Sequence, residues 1–249
     1  MSYKEATLYF MSGTGNSFRA AAWMGAAARK WGAADRVIPL VKGNPAAQTG
    51  NGNESLIGLV FPVHGFTAPW PVIRFALQLP RSRGTHALVV ATRGGTKIGP
   101  VFLPGMEGTA VYLIALILVL KGYCVRGVMG LNMPSNWMTL HWGLSPENVQ
   151  AILPRSNVKA VGYMERIFAG ECCFGGWAEL LLGLILLPIS LGYLALGRFY
   201  LAKLLYASAN CTGCGLCVAS CPFGGVKMRE GRLRRPYWTF HCESCMRCM

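Results

Sequence analysis

Seven of the ten cysteines in this 249-residue chain lie within its last 39 residues, where they form two runs. The first run has the spacing C-x2-C-x2-C-x3-C followed by Pro222, and the second repeats only its first three positions. Two-residue gaps let three thiolates hold three corners of one iron–sulfur cubane, while the wider gap before the proline directs the fourth thiolate to another cubane. The runs therefore predict [4Fe–4S] ligands at Cys211, Cys214, Cys217, Cys221, Cys242, Cys245 and Cys248.

These cysteines divide into one complete and one incomplete ligand set. Cys221 joins Cys242, Cys245 and Cys248 around one cluster, whereas the fourth ligand for the remaining three cysteines would fall beyond Cys248, at a position that the sequence does not contain. We therefore expect the chain to be a fragment. The alternative is a three-ligand site with a [3Fe–4S] cluster or an open iron. A zinc ribbon is disfavoured, because zinc knuckles lack the third cysteine and the C-P pair.

Residues 208–249 resemble ferredoxins of the two-cluster bacterial type, on these seven cysteines. The resemblance implies a small iron–sulfur domain that passes single electrons at low potential. Five of the ten residues at 227–236, between the runs, are basic. This stretch is either a solvated loop or a surface that docks an acidic partner or anionic headgroups.

A glycine-rich loop, "SGTGNS" at 12–17, stands between a predicted strand and a predicted helix. It offers backbone N–H groups, hydroxyls and a helix N-terminus to a phosphate, without Lys or Arg. It matches neither the G-x-G-x-x-G dinucleotide pattern nor a Walker loop. Such turns also occur in α/β domains that bind no cofactor.

Over residues 4–170 the loop and the two that follow it are similar to the phosphate and ring loops of flavodoxins, which bind FMN. The resemblance implies that residues 12–17 hold the phosphate and that "PVHGFTAPW" and "ATRGGTKIG" line the ring, with His64, Phe66 and Trp70 against it. Arg93 and Lys97 would stabilise an anionic reduced flavin. The implied site is Ser12, Gly13, Thr14, Gly15, Asn16, Ser17, Pro62, His64, Gly65, Phe66, Thr92, Arg93, Gly94 and Gly95.

The elements that must position these loops alternate between strands and helices. Apolar strand candidates at 6–10, 55–63, 86–92 and 123–134 are separated by helical patterns, and Ser145 and Pro146 form a typical helix start. Continuously apolar strands indicate a parallel sheet that is covered on both faces. The fold class predicted is α/β, a flavodoxin-like doubly wound parallel sheet, followed by an apolar helical connector and a small ferredoxin-like domain.

The domain boundaries predicted are 1–170 for the FMN domain, 171–207 for the connector and 208–249 for the iron–sulfur domain. Residues 180–197 carry no charge until Arg198, and Pro188 divides the segment, which suggests a helical hairpin. Three interpretations stay open: a hairpin packed on the first domain, a peripheral or re-entrant membrane contact through residues 177–197, and a membrane span.

The chain carries 24 Lys and Arg against 10 Asp and Glu, a net charge of +14. This balance suits an acidic redox protein as partner, with the anionic membrane surface as a second candidate. Nucleic acid is disfavoured, since no helix-turn-helix, zinc-finger or RNA-binding signature is present. Grouped cysteines and an N-terminus without the form of a signal peptide predict a cytoplasmic protein, with membrane association left open.

The order of domains, together with "NMPSNW" at 132–137, resembles flavodoxin–ferredoxin fusions over nearly the whole chain. The resemblance implies an electron-transfer protein that passes electrons between [4Fe–4S] clusters and FMN. The alternative is an FMN-dependent oxidoreductase that reduces a quinone, a nitro compound or a porphyrin precursor with electrons from the clusters. A third interpretation is a binding role without FMN. The four His and the sole Asp form no nucleophile–base constellation, which favours the carrier over the enzyme.

Overall fold

A computed structural model describes residues 3–42, 52–98, 100–135, 145–231 and 234–249. Five parallel strands form the main sheet: β1 (Glu5–Phe10), β2 (Ala34–Pro39), β3 (Ser55–Pro62), β4 (His86–Ile98) and β6 (Cys124–Pro134). Their order is β2-β1-β3-β4-β6, and the short β5 (Val101–Leu103) pairs antiparallel with the end of β4. Among the parallel strands alone this is the order 2-1-3-4-5 of flavodoxin-like sheets. The predicted fold class is confirmed.

Helices cover both faces of the sheet. Helices α1 (Asn16–Lys30) and α4 (Pro146–Phe168) pack on one face, and α2 (Trp70–Gln78) and α3 (Ala110–Leu120) pack on the other, each over its own apolar core. The run of alanines in α1 lets that helix lie close to the strands, and Ala20, Ala21 and Ala28 are fully buried. Strand β3 is buried along nearly its whole length, which explains its unbroken apolar sequence.

Two local outcomes bear on the sequence analysis. Ser145 accepts a hydrogen bond from the Asn148 N–H and Pro146 opens α4, so the predicted helix start is confirmed. Strand β2 was missed, because it lies at the sheet edge and half of its residues are exposed. Its pairing with β1 at Leu8 and Val37 sets the outer edge of the sheet.

The connector is helical and bent. Helix α5 (Trp177–Ile185) leads to a second helical stretch, Leu187–Leu204, that includes α6 (Leu187–Gly192), a π turn, α7 (Arg198–Tyr200) and a 3₁₀ turn. The two arms differ in direction by 53°, so the predicted hairpin is wrong. Pro188 lies in the first turn of α6, where its missing N–H has no intrahelical partner to lose, and it therefore starts a helix without reversing the chain.

No single helix among the described residues is both long and apolar enough to cross a membrane. Only when the two bent arms of the connector are counted together do their length and apolar composition match those of a span.

The cysteine-rich segment has its own small core. The short helix α8 (Leu216–Ala219) and the antiparallel pair β7 (Val226–Arg229) and β8 (Arg235–Trp238) carry the loops that hold the cysteines. Val226, Trp238 and Cys242 are buried together with Ala202, which comes from the end of the connector. The end of the connector is therefore packed against the cysteine-rich segment.

Candidate functional site

The carboxyl ends of four parallel strands open into one cleft, of about 640 Å³ counted with its open mouth. The loops after β1, β3, β4 and β6 all reach it, as expected at the switch point of a doubly wound sheet. The lining of the cleft from these loops comprises Ser12, Gly13, Thr14, Asn16, Ser17, Pro62, Val63, His64, Thr92, Arg93, Gly94, Met133, Pro134 and Ser135.

The glycine-rich loop presents an uncapped helix end to this cleft. Gly15 is the N-cap of α1 at φ 101°, and no side chain caps the helix. The first N–H groups of a helix have no partner within it, so those of α1 are directed at the loop and suit an anion. The Gly15 N–H donates to Ser12 Oγ at 3.0 Å, which closes the loop.

Two side chains of this loop tie it to the neighbouring strands. Asn16 Nδ2 donates to the carbonyl of Pro134 at 2.7 Å, and Ser17 Oγ lies 2.8 Å from Thr92 Oγ1. Both side chains therefore position the loop, and their contact with a phosphate stays a prediction. Thr14 is exposed and keeps its hydroxyl at the mouth of the cleft.

His64 is the buried polar side chain of the β3 loop. Its backbone N–H and carbonyl both pair with Thr67, and its ring meets the edge of Tyr193 at 6.5 Å between centroids. Burial lowers the pKa of His64 to about 4. The imidazole is therefore neutral near pH 7 and adds no charge to the cleft.

Three residues predicted to surround the flavin do not line the cleft. The Gly65 backbone supports the Tyr193 ring, and the Phe66 carbonyl accepts a hydrogen bond from Ser190 Oγ at 3.0 Å. Trp70 stacks with the Arg198 guanidinium at 4.4 Å. These contacts exist because the connector packs on this loop, which the sequence pattern of the loop does not show.

Arg93 and Lys97 both contact other side chains of the protein. Arg93 lines the cleft, but its guanidinium pairs with the buried Glu107 and donates to Asn132 Oδ1 at 2.9 Å. Its charge is therefore largely compensated. The Lys97 ammonium lies 5.8 Å from the Phe102 ring centroid in the β4–β5 pair, away from the cleft.

Gly95, in the middle of the predicted ring loop, packs against the Asn132 side chain and lines a separate cavity. Gly94 does line the main cleft. Trp137 and Trp142 lie outside the described residues.

The second cysteine run completes the wall of the cleft. Ser244, Cys245 and Met246 join the strand-end loops in lining it. Ser244 and Met246 both adopt positive φ, 48° and 61°, so the backbone coils tightly around Cys245. The sequence analysis missed the approach of the second cysteine run to the cleft, because no local pattern links Cys245 to the glycine-rich loop.

Four thiols surround a second cavity, in the cysteine-rich domain. Cys221, Cys242, Cys245 and Cys248 line it together with Pro222 and Phe223. Cys221 thus lies beside the thiols of the second run, and their ligation of one cluster stays a prediction. Among the described residues no group of three or more His, Cys, Asp or Glu side chains is arranged to hold a single metal ion.

The donor set fits an iron–sulfur cluster. Burial, followed by the nearby thiols of Cys245, Cys248 and Cys221, raises the pKa of Cys242 to about 12. Burial likewise raises the pKa of Cys245. Bringing such thiols together is costly unless a cationic centre is bound to their thiolates.

Three N–H groups already point at the sulfurs of this set. The Gly225 N–H donates to Cys221 Sγ at 3.2 Å, the Ser244 N–H to Cys242 Sγ at 3.4 Å, and Trp238 Nε1 to Cys248 Sγ at 3.5 Å. Hydrogen bonds to ligand sulfurs stabilise negative charge on a cluster and tune its potential.

The first run differs from the second in exposure. A hydrogen bond from the Leu216 N–H, followed by one from Thr212, lowers the pKa of the exposed Cys214. Burial raises the pKa of Cys217, and the thiols of Cys248 and Cys214 add to the shift. The two predicted ligand sets are therefore adjacent. The number of ligands at the first set stays a prediction.

Comparison with known proteins identifies the cysteine-rich segment. Residues 203–249 match the family described as 4Fe-4S dicluster domain, which is a minor part of the chain. No curated protein sequence matches the chain.

Among solved structures, a flavodoxin from the domain Archaea is 14% identical and aligns with 65% of this chain and 99% of its own, at a TM-score of 0.39. Flavodoxin 1 from Bacillus cereus is 18% identical and aligns with 62% of this chain and 97% of its own, at a TM-score of 0.39. A flavo-diiron protein mutant from Thermotoga maritima is 10% identical and aligns with 66% of this chain and 36% of its own, at a TM-score of 0.40. All three scores lie below 0.5, so the assignment of the first domain rests on its strand order.

The parallel sheet in the order 2-1-3-4-5 and the matched cysteine segment occupy different parts of one polypeptide. The chain is therefore a fusion of a flavodoxin-like α/β domain with a 4Fe–4S dicluster domain of the ferredoxin type.

Proposed function

We propose that this protein is an electron-transfer protein that passes electrons between [4Fe–4S] clusters and an FMN bound in the cleft at the strand ends. When bound, the clusters exchange single electrons and FMN accepts one or two. The protein would supply binding, orientation and electrostatics, and no side chain need act as acid or base.

One observation carries the proposal: Cys245 belongs to both sites. It lines the cavity of the four thiols and also the cleft formed by the strand-end loops. A cluster ligand in the wall of the cleft leaves little protein between the two prosthetic groups. Short separation is what rapid electron transfer requires.

The FMN assignment is supported by the loop that faces Cys245. The uncapped N-terminus of α1 suits a phosphate, and Ser17 and Asn16 fix the loop to β4 and β6. The ring region is close to neutral, because His64 is uncharged and Arg93 is paired with Glu107. The cleft would therefore bind the flavin by shape and amide contacts.

The FMN site is tested by Thr14→Asp in the intact chain, prepared without oxygen and assayed for iron, sulfide and flavin. A carboxylate at the exposed position 14 would compete with the phosphate for the helix N-terminus, so we expect about tenfold weaker FMN binding or worse. Thr14→Val is the matched control and should retain FMN. Iron and sulfide should be unchanged in both variants.

Electron transfer is tested in the loaded protein by rapid mixing with a one-electron donor. Absorbance changes of the clusters should precede or accompany reduction of the flavin. A preparation that contains iron and sulfide but no flavin would refute the FMN assignment. Flavin that stays oxidised beside reduced clusters would refute the transfer. Steady turnover of a quinone or nitro compound would favour the oxidoreductase instead.

A further inference from the structure

The connector leaves a broad apolar surface exposed. Ten Leu, Ile, Trp and Tyr side chains between residues 177 and 206 are each more than half accessible, and we call them the connector surface. The most exposed are Trp177, Ile185, Leu196, Leu204 and Tyr206. Continuous apolar exposure of this extent marks an interaction site in a folded protein.

Both arms carry these side chains at helical spacing. Trp177, Leu181 and Leu184 follow one another at intervals of four and three residues, which places them on one face of α5. Leu196, Tyr200 and Leu204 repeat at intervals of four on the second arm. Each arm therefore presents an apolar stripe.

The opposite side of the connector is fixed to the flavodoxin-like domain. Ser190 Oγ donates to the Phe66 carbonyl and lies 3.2 Å from Thr109 Oγ1. Tyr193 is buried against Gly65, and Gly183 approaches the backbone of Gly108. Because one side is held by these contacts, the apolar stripe is presented in a fixed orientation.

The dimensions of the connector suit a membrane surface. Helix α5 has nine residues and is therefore about 14 Å long, well short of the roughly 30 Å hydrocarbon core. The 53° bend prevents the arms from forming one straight span. Trp177, Tyr200 and Tyr206 are amphipathic side chains of the kind enriched at membrane interfaces.

Positive charge borders the connector surface. Lys203 and Tyr206 share a cleft with Arg229 and Arg235 of the β7–β8 pair. Between residues 177 and 236 the sequence has seven Lys and Arg against two Glu. A basic border beside apolar side chains is complementary to anionic headgroups above acyl chains.

We propose that the connector surface binds the interface of an anionic lipid bilayer, with the apolar stripe in the headgroup and acyl boundary and the β7–β8 pair on the phosphates. The bilayer would hold the cluster domain at the membrane surface and leave the cleft of the first domain on the aqueous side. This interaction is independent of the proposed electron transfer.

The test is flotation of the intact holoprotein with vesicles of phosphatidylcholine alone or mixed with phosphatidylglycerol. We expect binding that requires the anionic lipid and weakens as salt is raised. Leu181→Gln with Leu184→Gln and Ile185→Gln should reduce vesicle binding by about tenfold or more, since three inserted apolar side chains are lost. Val158→Gln, which alters an equally exposed residue on α4, is the control and should bind normally.

A second pair of variants tests the basic border. Lys227→Gln with Arg229→Gln removes two exposed charges and should weaken binding to the anionic vesicles several-fold. Arg83→Gln, another exposed arginine, should have little effect. Unchanged flavin and cluster spectra would show that each variant is folded.

Two results would overturn the proposal. The holoprotein fails to float with either vesicle, or it binds phosphatidylcholine equally well and independently of salt. Sedimentation would then identify another occupant: a dimer that the triple glutamine variant dissociates would mean that a second copy covers the connector surface.

Discussion

The carbonyl oxygen of Cys245 lies against the backbone of Gly13, so closely that a Cβ built on Gly13 would stand 1.6 Å from it. The two residues are separated by nearly the whole chain, and each belongs to a different predicted prosthetic-group site. Only glycine at position 13 allows this approach.

Gly13→Ala should therefore separate the two domains at the cleft. The added methyl meets backbone, which cannot rotate away, and we expect a loss of roughly 1–3 kcal/mol of domain docking. Transfer between clusters and flavin should slow, while each group stays bound. Gly162→Ala is the control: nothing lies within 4 Å of that added Cβ. A normal transfer rate in Gly13→Ala would contradict the contact.

Cys221→Ser should abolish the same electron paramagnetic resonance signal as Cys245→Ser, although Cys221 belongs to the first run. The reason is that both thiols line one cavity. Cys214→Ser should leave that signal in place, and Cys124→Ser, at an exposed position in β6, should alter no cluster. Loss of the signal in Cys214→Ser but not in Cys221→Ser would reverse the ligand assignment.

Stability should fall as the pH drops, through His64. Burial lowers its pKa from 6.5 to about 4, so the unfolded state binds the proton more readily between these values. Above pH 6.5 the His64 imidazole is neutral in both states and costs no stability. By about pH 5 its depressed pKa lowers the free energy of unfolding by about 2 kcal/mol. Urea unfolding should show that this part of the pH dependence disappears in His64→Gln. Parallel curves for the two proteins would refute a buried neutral imidazole.

Glu107→Gln should raise the potential of bound flavin. The change removes the nearer of two carboxylates that face the Arg93 guanidinium and leaves Glu179, at 3.7 Å. The wall of the cleft becomes more positive and favours the reduced, more negative flavin. We expect an increase of roughly 30–60 mV and a loss of about 3 kcal/mol of stability. Glu171→Gln, at the exposed Arg166 pair, should change neither quantity. An unchanged potential would place the flavin ring away from Arg93.

Gly65→Ala should release the connector from the first domain. Gly65 has φ 54°, and its added Cβ would lie 2.3 Å from the Tyr193 ring. Gly84→Ala carries the same kind of backbone strain, at φ 89°, but meets nothing within 4 Å. The positive φ alone should lower the free energy of unfolding by about 1–2 kcal/mol in each variant. Any greater loss in Gly65→Ala therefore measures the clash with the Tyr193 ring. Limited proteolysis should cleave near residue 193 faster in Gly65→Ala than in Gly84→Ala; equal rates would argue against the packing.

The pattern of strands and loops was sufficient to predict the sheet, because apolar runs of strand length and helical periodicity reflect local burial. The edge strand β2 was missed, because an edge strand exposes polar groups and loses the apolar signal. The hairpin was wrong because Pro188 starts a helix as readily as it ends one.

The sequence by itself was enough to predict the cysteine ligands and their grouping, since the spacing of Cys221 and the second run is set by the size of a cluster and by the reach of the backbone. It also determined the local turn before α1 that is predicted to hold a phosphate. Only the tertiary structure decided that Arg93 is paired with Glu107, that Gly65 supports Tyr193, and that Cys245 reaches Gly13. Such contacts join residues distant in the chain, and they depend on how packed surfaces fit, which no local pattern records.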